Sequence, residues 1–511
     1  QLCFLTSNGF LTFKKKKKIM KKFKFIYAIA LSLFLVQGCK KDLLQVENEN
    51  QPDFDKVFSN GEALQNLTSG LYVTIYNGEH AGASIQPMLA TASDNVSCSW
   101  GNFGMRDMSW EPRNFAWNNA PSYAYNASTL NLWNNMYSSI NTASDVLKAM
   151  GTGVNVGVAG ANNARTKAFC RFAQGVGYGN LALVFDKAFI VDEKTTVAAA
   201  TLEAASPFTA VSAAALTYLD EAAALATANT FTIPKDWLGT DKDYSAAEFK
   251  KLVNTYAARI MAYTPRNKAQ LATVNWAKVK TYADGGLTSD FVVVQDGYAK
   301  WYDEAGDYLV YQGWGVTDNY VVNMMDPSKP KHWTDSPTFP YPSASTDPAD
   351  KRIFSDFEYV ASQWFQAARG YYHYSPYRNK RYDDMYVAAV GPKPQIMKAE
   401  NDMLKAEARA YTSDLAGAAT IINASTRKTR GQMADVAAVS ADVIQAIHHE
   451  RHVEMYTTGF GLQFFEMRKL DLLQKGTPLP FPIPAKTQET MGLALPFYTF
   501  GTEAKGDGTN T

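Results

Sequence analysis

The sequence predicts a mainly α protein: a TPR-like array of antiparallel helix hairpins that carries an irregular, loop-rich lobe with a few short strands. Three observations lead to this prediction. Apolar residues recur at three- and four-residue spacing over long stretches, which is typical of amphipathic helices. These stretches come in pairs with short connections, which favours antiparallel hairpins packed as a right-handed array. Between them lies a stretch rich in Pro, Tyr, Trp and Asp that lacks this spacing.

The helical elements follow from the apolar spacing. The first predicted helix begins at Asn60, whose side chain suits an N-cap, and ends at Gly78, where glycine accepts a left-handed stop. Gly175, Gly177 and Gly179 lie within a later helix that no strand precedes, so we expect close helix packing there and no dinucleotide site. The other predicted helices cover 130–150, 163–185, 207–228, 246–263, 275–284, 395–411, 414–426 and 441–455.

Two segments lack helical periodicity and are crowded with aromatic residues. Residues 80–127 mix Trp, Phe and Tyr with Asn, Ser and Gly, and a loop of this length in a compact protein is usually functional. Residues 285–394 form the predicted irregular lobe, in which the apolar run 291–294 indicates a strand. With a helical scaffold over 56–284 and 395–475, the lobe completes a single predicted domain over 56–511.

The N-terminal stretch indicates export. Met20 is followed by three lysines, the apolar run Phe25–Val36 and a small-residue exit, the pattern of a secretory signal peptide. The apolar run is too short to span about 30 Å of hydrocarbon at 1.5 Å per residue. The exit Val36–Cys39 resembles a bacterial lipobox, so we expect Cys39 to be lipidated and to become the mature N-terminus.

Removal of residues 1–38 reverses the sign of the net charge. This segment, which we interpret as an untranslated leader plus the signal peptide, holds eight lysines and no acidic residue. The whole chain has 50 basic and 49 acidic residues, so the mature chain has 42 and 49, a net charge of −7. Residues 39–55 are polar and aperiodic, as in a flexible tether. A mildly acidic protein lacks the basic surface that nucleic acid requires, so we expect no such partner.

No motif in the sequence indicates catalysis, and we predict that the protein is not an enzyme and uses no cofactor. The Gly-x-Ser-x-Gly elbow of serine hydrolases is missing from the sequence. Asp303-Glu304 and Asp383-Asp384 are candidate glycosidase pairs only in the sense that any acids are, because the decisive separation is three-dimensional.

Histidine and cysteine usage gives no metal motif. His448 and His452 stand four residues apart, but the run is one residue short of His-Glu-x-x-His, so we expect no metal site. Cys98 and Cys170 remain in the mature chain besides the anchor, and they either pair or stay as buried thiols.

Four stretches near the C-terminus carry a family resemblance. They are Met403–Ala410, Ala418–Arg430, Glu450–Met455 and the proline-rich Phe481–Pro484. Combined with the lipobox, they resemble the SusD/RagB family of outer-membrane nutrient-binding lipoproteins, with which the N-terminal half agrees more loosely.

Four charged residues of these closing stretches have an expected structural role. Glu450, Arg451 and Glu454 stand at helix positions where i,i+3 and i,i+4 pairing works. Arg468 can act as a fork donor to such carboxylates. We expect all four to lock helices together and not to bind ligand.

The resemblance implies a ligand held by aromatic residues of the early loop and of the lobe. A neutral sugar offers flat ring faces for Trp and Tyr, while Asn, Asp and Arg read its hydroxyl groups. The predicted ligand-binding residues are Trp100, Asn95, Asn102, Asp94, Trp301, Trp314 and Trp333.

The same resemblance implies a cell-surface role. We expect a lipid-anchored outer-membrane protein that captures an oligosaccharide or polysaccharide and delivers it to a SusC-like TonB-dependent outer-membrane barrel for import. Two alternatives stay open at this point: a binder of peptide or another nutrient in the same import system, and a surface lipoprotein glycosidase.

Overall fold

The computed structural model of the chain describes residues 58–499, apart from 101, 111–112, 114–116, 196–200, 312, 332–342 and 362–373. The predicted leader and signal peptide, the lipidation site Cys39 and the tether 39–55 lie outside the described residues, as does Trp333. No helix within the described ranges combines the length and apolar character needed to cross a membrane.

Helices make up most of the described chain, which confirms the mainly α prediction. They are α1 Gly61–Ser69, α2 Leu71–His80, α3 Gln86–Ala92, α4 Met105–Ser109, α5 Asn126–Gly151, α6 Asn163–Val184, α7 Phe208–Ala228, α8 Lys235–Leu238, α9 Ala246–Tyr263, α10 Lys268–Leu271, α11 Trp276–Asp284, α12 Glu304–Val310, α13 Asn319–Met325, α14 Arg352–Ser355, α15 Asp383–Ala388, α16 Lys398–Tyr411, α17 Leu415–Asn423, α18 Thr426–Thr429, α19 Ser440–Val453, α20 Leu462–Lys469 and α21 Ala485–Thr490.

Short strands pair as two-stranded antiparallel ribbons, which agrees with the predicted few short strands. The pairs are β1 Val96–Ser97 with β7 Val316–Thr317, β2 Lys187–Ala188 with β3 Ser206–Pro207, β4 Thr232–Ile233 with β5 Tyr244–Ser245, β6 Phe291–Asp296 with β10 Val390–Ile396, and β8 Phe357–Tyr359 with β9 Tyr377–Asn379. The longest ribbon runs from Phe291 opposite Ile396 to Asp296 opposite Val390. The β1–β7 pair fixes the early aromatic segment against the lobe.

Helix α6 lies at the centre of the scaffold, packed against α5, α7 and α9. Its three glycines, Gly175, Gly177 and Gly179, point at three different neighbours. A Cβ added to them would lie 2.5, 2.9 and 2.2 Å from side-chain carbons of α7, α5 and α9, respectively. Real Cβ atoms do not approach so closely, so the prediction of close helix packing at these glycines is confirmed.

Gly179→Ala is expected to lower the free energy of unfolding by about 1–3 kcal/mol, because the added methyl group would overlap Ile260 in a packed core. Gly151→Ala at the end of α5 is the matched control. A Cβ there meets nothing within 4 Å, so this variant should be neutral or slightly stabilised. Urea unfolding measures both variants, and equal stability of the two would contradict the tight packing at Gly179.

The first predicted helix is in fact two. Asn60 caps α1 as expected, accepting a hydrogen bond from the Glu62 amide. The chain then breaks at Gly70, and α2 continues through Gly78 to His80. Gly78 is not a stop but a contact point, since a Cβ there would lie 2.6 Å from the Met136 side chain of α5.

Residues 80–127, which we expected to lack helical periodicity, contain α3 and α4. All seven residues of α3 are buried, and the same holds for all eight of α20, which the sequence also did not indicate. A helix that is buried on every side has no solvent-exposed face, so its polar and apolar residues need not alternate with the helical period. This explains why both helices were missed.

A second, smaller hydrophobic core lies beneath the lobe, separate from the large core of the scaffold. It joins Val96 and Cys98 of the early segment to Leu309 of α12 and Tyr456, which follows α19. Cys98 and Cys170 are both free and buried, and burial raises the pKa of each thiol to about 12. The two cysteines therefore do not pair, and the early segment is anchored to the lobe by apolar packing.

Buried ion pairs join the closing helices. Arg451 of α19 lies 2.5 Å from the Glu466 carboxylate of α20 and 2.7 Å from the Glu407 carboxylate of α16. Lys469 approaches the same Glu407 at 2.6 Å. Three helices are thus held at one point by fully desolvated charges.

Glu450 and Glu454 bind a different partner. Arg352 places one guanidinium nitrogen 2.7 Å from Glu450 and another 2.9 Å from Glu454. The predicted pairing of these acids with Arg451 along the helix is wrong. They share one face of α19, while Arg451, one position on from Glu450, points about 100° away around the helix axis.

Arg468 donates to main-chain carbonyls and not to carboxylates, so the predicted fork to acidic partners is also wrong. Its guanidinium reaches the carbonyl oxygens of Leu183, Leu479 and Tyr263 at 2.8, 2.8 and 3.2 Å. Leu183 and Tyr263 lie in the last turns of α6 and α9, where carbonyls lack intrahelical partners. Arg468 therefore caps two helices at once.

Candidate ligand-binding site

An aromatic cleft of about 630 Å³ opens where the early segment meets the lobe. Six of its nine lining residues are aromatic, and two others carry carboxylates. This size and lining are typical of small-molecule sites, which combine apolar walls with a few placed polar groups. The lining residues are Trp100, Tyr298, Tyr302, Glu304, Asp307, Tyr308, Tyr311, Gly313 and Trp314.

The β1–β7 ribbon brings the two tryptophans of the cleft together. Trp100 follows β1 by three residues, and Trp314 precedes β7 by two, so antiparallel pairing places both at the same end. Their ring centroids are 5.8 Å apart at an interplanar angle of 60°, and Tyr308 meets Trp314 at the same distance and 80°. The rings form a continuous edge-to-face wall.

Helix α12 contributes Tyr308 to this wall and further residues to the lining. Glu304, Asp307, Tyr308 and Tyr311 follow the spacing i, i+3, i+4, i+7, which places them on one face of the helix and its C-cap. Asp303 caps the N-terminus, where its carboxylate accepts a hydrogen bond from the Gly306 amide at 2.8 Å. The cap fixes the start of the helix and hence the direction of this face.

A buried ion cluster holds that cap in place. The Asp303 carboxylate lies 2.8 Å from His80 Nδ1 and pairs with Lys393 of β10. Burial alone would raise the pKa of Asp303, but Lys393 and His80 hold it well below its usual range. Lys393 also donates to the Thr457 carbonyl at 3.0 Å. An ionised Asp303 thus ties α12 to α2 and β10.

Tyr298 forms the rim of the cleft. It is 67% exposed, and its φ of 69° lies in the left-handed region, which a tyrosine rarely adopts. The Asp296 carboxylate stabilises this turn by accepting hydrogen bonds from the amides of residues 299–301 at 3.0–3.1 Å. Tyr298 is therefore held outward, with its ring 4.2 Å from that of Tyr302.

Each carboxylate of the cleft is oriented by one hydrogen bond. Asp307 accepts through Oδ2 from the Tyr302 hydroxyl, and Glu304 accepts through Oε2 from the Gly82 amide, both at 2.8 Å. No described residue donates to Asp307 Oδ1 or Glu304 Oε1. Burial raises the pKa of Asp307 and of Tyr302. Both carboxylates thus keep an oxygen that can accept from a ligand hydroxyl.

Of the predicted ligand-binding residues, Trp100 and Trp314 lie in this cleft, and Asp94 and Asn95 do not. Asp94 is 2% exposed and accepts from Arg113 at 2.8 Å; Asn95 is 1% exposed, with its Oδ1 2.8 Å from His452 Nδ1. The prediction treated them as free loop side chains. They are instead buried, because the chain turns inward before β1, so we leave both out of the proposed site.

Trp301 is also placed away from the ligand. It is 5% exposed and packs in the main core, with its ring 5.2 Å from that of Tyr76. Its role is to anchor the turn that carries Tyr298. Asn102 lies in a short 3-10 turn, Asn102–Gly104. Trp333 lies beyond the described residues.

Three of the remaining catalytic and metal candidates, His448, His452 and Asp383, have structural partners. His448 Nε2 lies 2.5 Å from the Tyr320 hydroxyl, and burial lowers the pKa of His452. Asp383 pairs with Arg378 at 2.6 Å. Within the described part of the chain, no three His, Cys, Asp or Glu side chains are grouped as metal ligands.

Sequence reasoning missed most of the α12 face and the rim. Tyr302, Asp307, Tyr308, Tyr311 and Tyr298 were not among the predicted residues. The i, i+3, i+4, i+7 spacing was a usable signal, because it places acidic and aromatic groups on the same helix face and no core pattern requires that combination.

No family model and no curated protein matches this sequence. Solved structures do match. A SusD superfamily protein from Parabacteroides distasonis has 12% identity over 84% of this chain and 97% of that chain, with a TM-score of 0.59. A SusD-like protein from Bacteroides fragilis has 14% identity, 81% and 87% coverage and a TM-score of 0.55. A SusD-like carbohydrate binding protein from Bacteroides vulgatus has 16% identity, 81% and 83% coverage and a TM-score of 0.52. The chain therefore has the SusD-like fold that its closing motifs predicted.

Proposed function

We propose that this protein is a non-enzymatic glycan-binding protein that holds its ligand in the aromatic cleft. The observation that carries the proposal is the cleft itself, in which six aromatic side chains surround two oriented carboxylates. The fold supports it, since two matching structures are described as SusD-like carbohydrate binding proteins.

Sugar chemistry fits these walls. The C–H face of a pyranose ring is apolar and packs on Trp or Tyr, while its hydroxyl groups donate to carboxylate oxygens. Trp100, Tyr308 and Trp314 supply ring surface, and Glu304 and Asp307 supply acceptors. Each of these two carboxylates is oriented by one hydrogen bond and has a second oxygen to which no described residue donates, and such preorganisation reduces the entropy lost on binding.

The proposal includes the cellular role. We propose that Cys39 carries the lipid that attaches the protein to the outer membrane, and that the bound glycan passes unaltered to a SusC-like TonB-dependent barrel. Support comes from the lipobox-like exit of the signal peptide and from the SusD-like fold.

A glycan panel tests this function. The chain without its predicted signal peptide should retard in native gels that contain one or a few polysaccharides, and no new reducing ends should appear after prolonged incubation. Retardation with turnover would favour the glycosidase alternative. Failure to bind any glycan, together with binding of a peptide, would favour the nutrient-binding alternative.

A further inference from the structure

We propose that the cleft selects uncharged glycans and excludes those that bear uronate or sulfate groups. This inference rests on the proposed function and adds the chemical class of the ligand. It comes from the sign of the charges in the lining. Glu304 and Asp307 contribute two carboxylates, and no Lys, Arg or His belongs to the described lining.

Three cationic or ionisable side chains of the elements that carry the cleft contact other groups. Lys393 and His80 bind Asp303 beneath α12, and both are buried. Lys300, an exposed residue of the Tyr298 turn, lies over the Trp301 ring with its Nζ 3.5 Å from the Asp236 carbonyl oxygen. An anionic sugar in the cleft would therefore meet two carboxylates without a compensating cation from these groups.

Hydrogen-bond capacity favours the same class. The free oxygens of Glu304 and Asp307 are acceptors only, so they bind donors such as sugar hydroxyls. A sugar carboxylate or sulfate is itself acceptor-only and would leave both partners unsatisfied while their like charges repel. Half-burial of Asp307 strengthens that repulsion relative to bulk water.

Matched glycan pairs provide the test. Amylose is compared with C6-oxidised amylose, methyl-esterified with de-esterified homogalacturonan, and dextran with dextran sulfate, all with EDTA present to remove bridging cations. We expect the neutral member of a bound pair to bind at least tenfold more tightly at low salt, or about 1.4 kcal/mol. Added salt should bring the affinities for the neutral and the anionic member closer together, because salt screens charge repulsion but does not relieve a steric clash.

Charge-neutral variants identify the residues responsible. The double variant Glu304→Gln, Asp307→Asn keeps an amide oxygen to accept from Gly82 and another to accept from Tyr302. In this variant the neutral glycan should bind less than threefold more tightly than the anionic one. The control variant Glu62→Gln, Asp236→Asn removes two exposed acids outside the cleft. It should leave the ratio of neutral to anionic glycan affinity unchanged.

The outcomes separate the two proposals. Preferred binding of an anionic member by the unaltered protein, or a ratio that the cleft variant does not change, would overturn charge selection and leave glycan binding standing. If no member of any pair binds, the proposed function fails and this inference fails with it.

Discussion

Trp314→Ala and Trp100→Ala are each expected to weaken binding of a glycan identified in the panel by at least tenfold. Each substitution removes a ring from the edge-to-face wall of the cleft. Stacking on an aromatic side chain contributes about 1–3 kcal/mol per nucleobase, and we expect a similar magnitude for a sugar face. Isothermal titration or affinity electrophoresis measures the loss. The melting temperature should change little, because both side chains are only partly buried.

Phe354→Ala is the matched control for this experiment. Phe354 lies on α14, is 50% exposed and does not line the cleft, so its loss removes a comparable exposed ring without touching the site. We expect the control to bind as the unaltered protein does. If the tryptophan variants also retain full affinity, the ligand does not stack in this cleft and the site lies elsewhere.

The sequence predicted the scaffold well where each helix has one solvent-exposed face and one buried face. Helices α5, α6, α7 and α9 begin and end within a few residues of their predicted bounds, because their apolar spacing reports burial directly. α3 and α20 were missed because burial on every side erases that spacing.

The site was predictable only in part, for a related reason. Trp100 and Trp314 were selected for their residue type, and the β1–β7 pairing then brought them together. Residue type does not report exposure, so Trp301 and Asn95 were selected by the same reasoning although both are buried. Which aromatic residue lies at a surface is decided by long-range pairing, and a local pattern does not contain that information.

Arg352→Ala is expected to cause the largest loss of stability, about 3–5 kcal/mol at neutral pH. Arg352 is completely buried. Its guanidinium nitrogens lie 2.7, 2.7 and 2.9 Å from carboxylate oxygens of Asp350, Glu450 and Glu454, respectively. Its removal deprives the buried Asp350 and Glu450 of a principal counter-charge, and burial makes an unpaired carboxylate costly. Glu454 keeps Arg381 and Arg430 as partners. Urea unfolding at neutral pH measures the loss against the unaltered protein.

Lys486→Ala is the control for a surface ion pair. Lys486 and Glu489 are about half exposed and 2.8 Å apart, so solvent screens their attraction, and the loss should stay below about 0.5 kcal/mol. A loss of similar size in both variants would mean that the Arg352 network contributes no more than a surface pair does.

The pH dependence of the Arg352→Ala effect tests its cause. Burial alone would raise the pKa of Asp350, but hydrogen bonds from His449 and Arg352 hold it below its usual range. A carboxyl group with a depressed folded-state pKa stabilises the fold above its unfolded pKa of about 3.9, and that contribution is lost as the pH falls further. In Arg352→Ala, Asp350 loses the contribution of Arg352 and keeps that of His449, so burial raises its pKa relative to the unaltered protein. The stability difference between the two proteins should therefore shrink as the pH is lowered towards about 4, whereas a cavity effect alone would leave the difference constant.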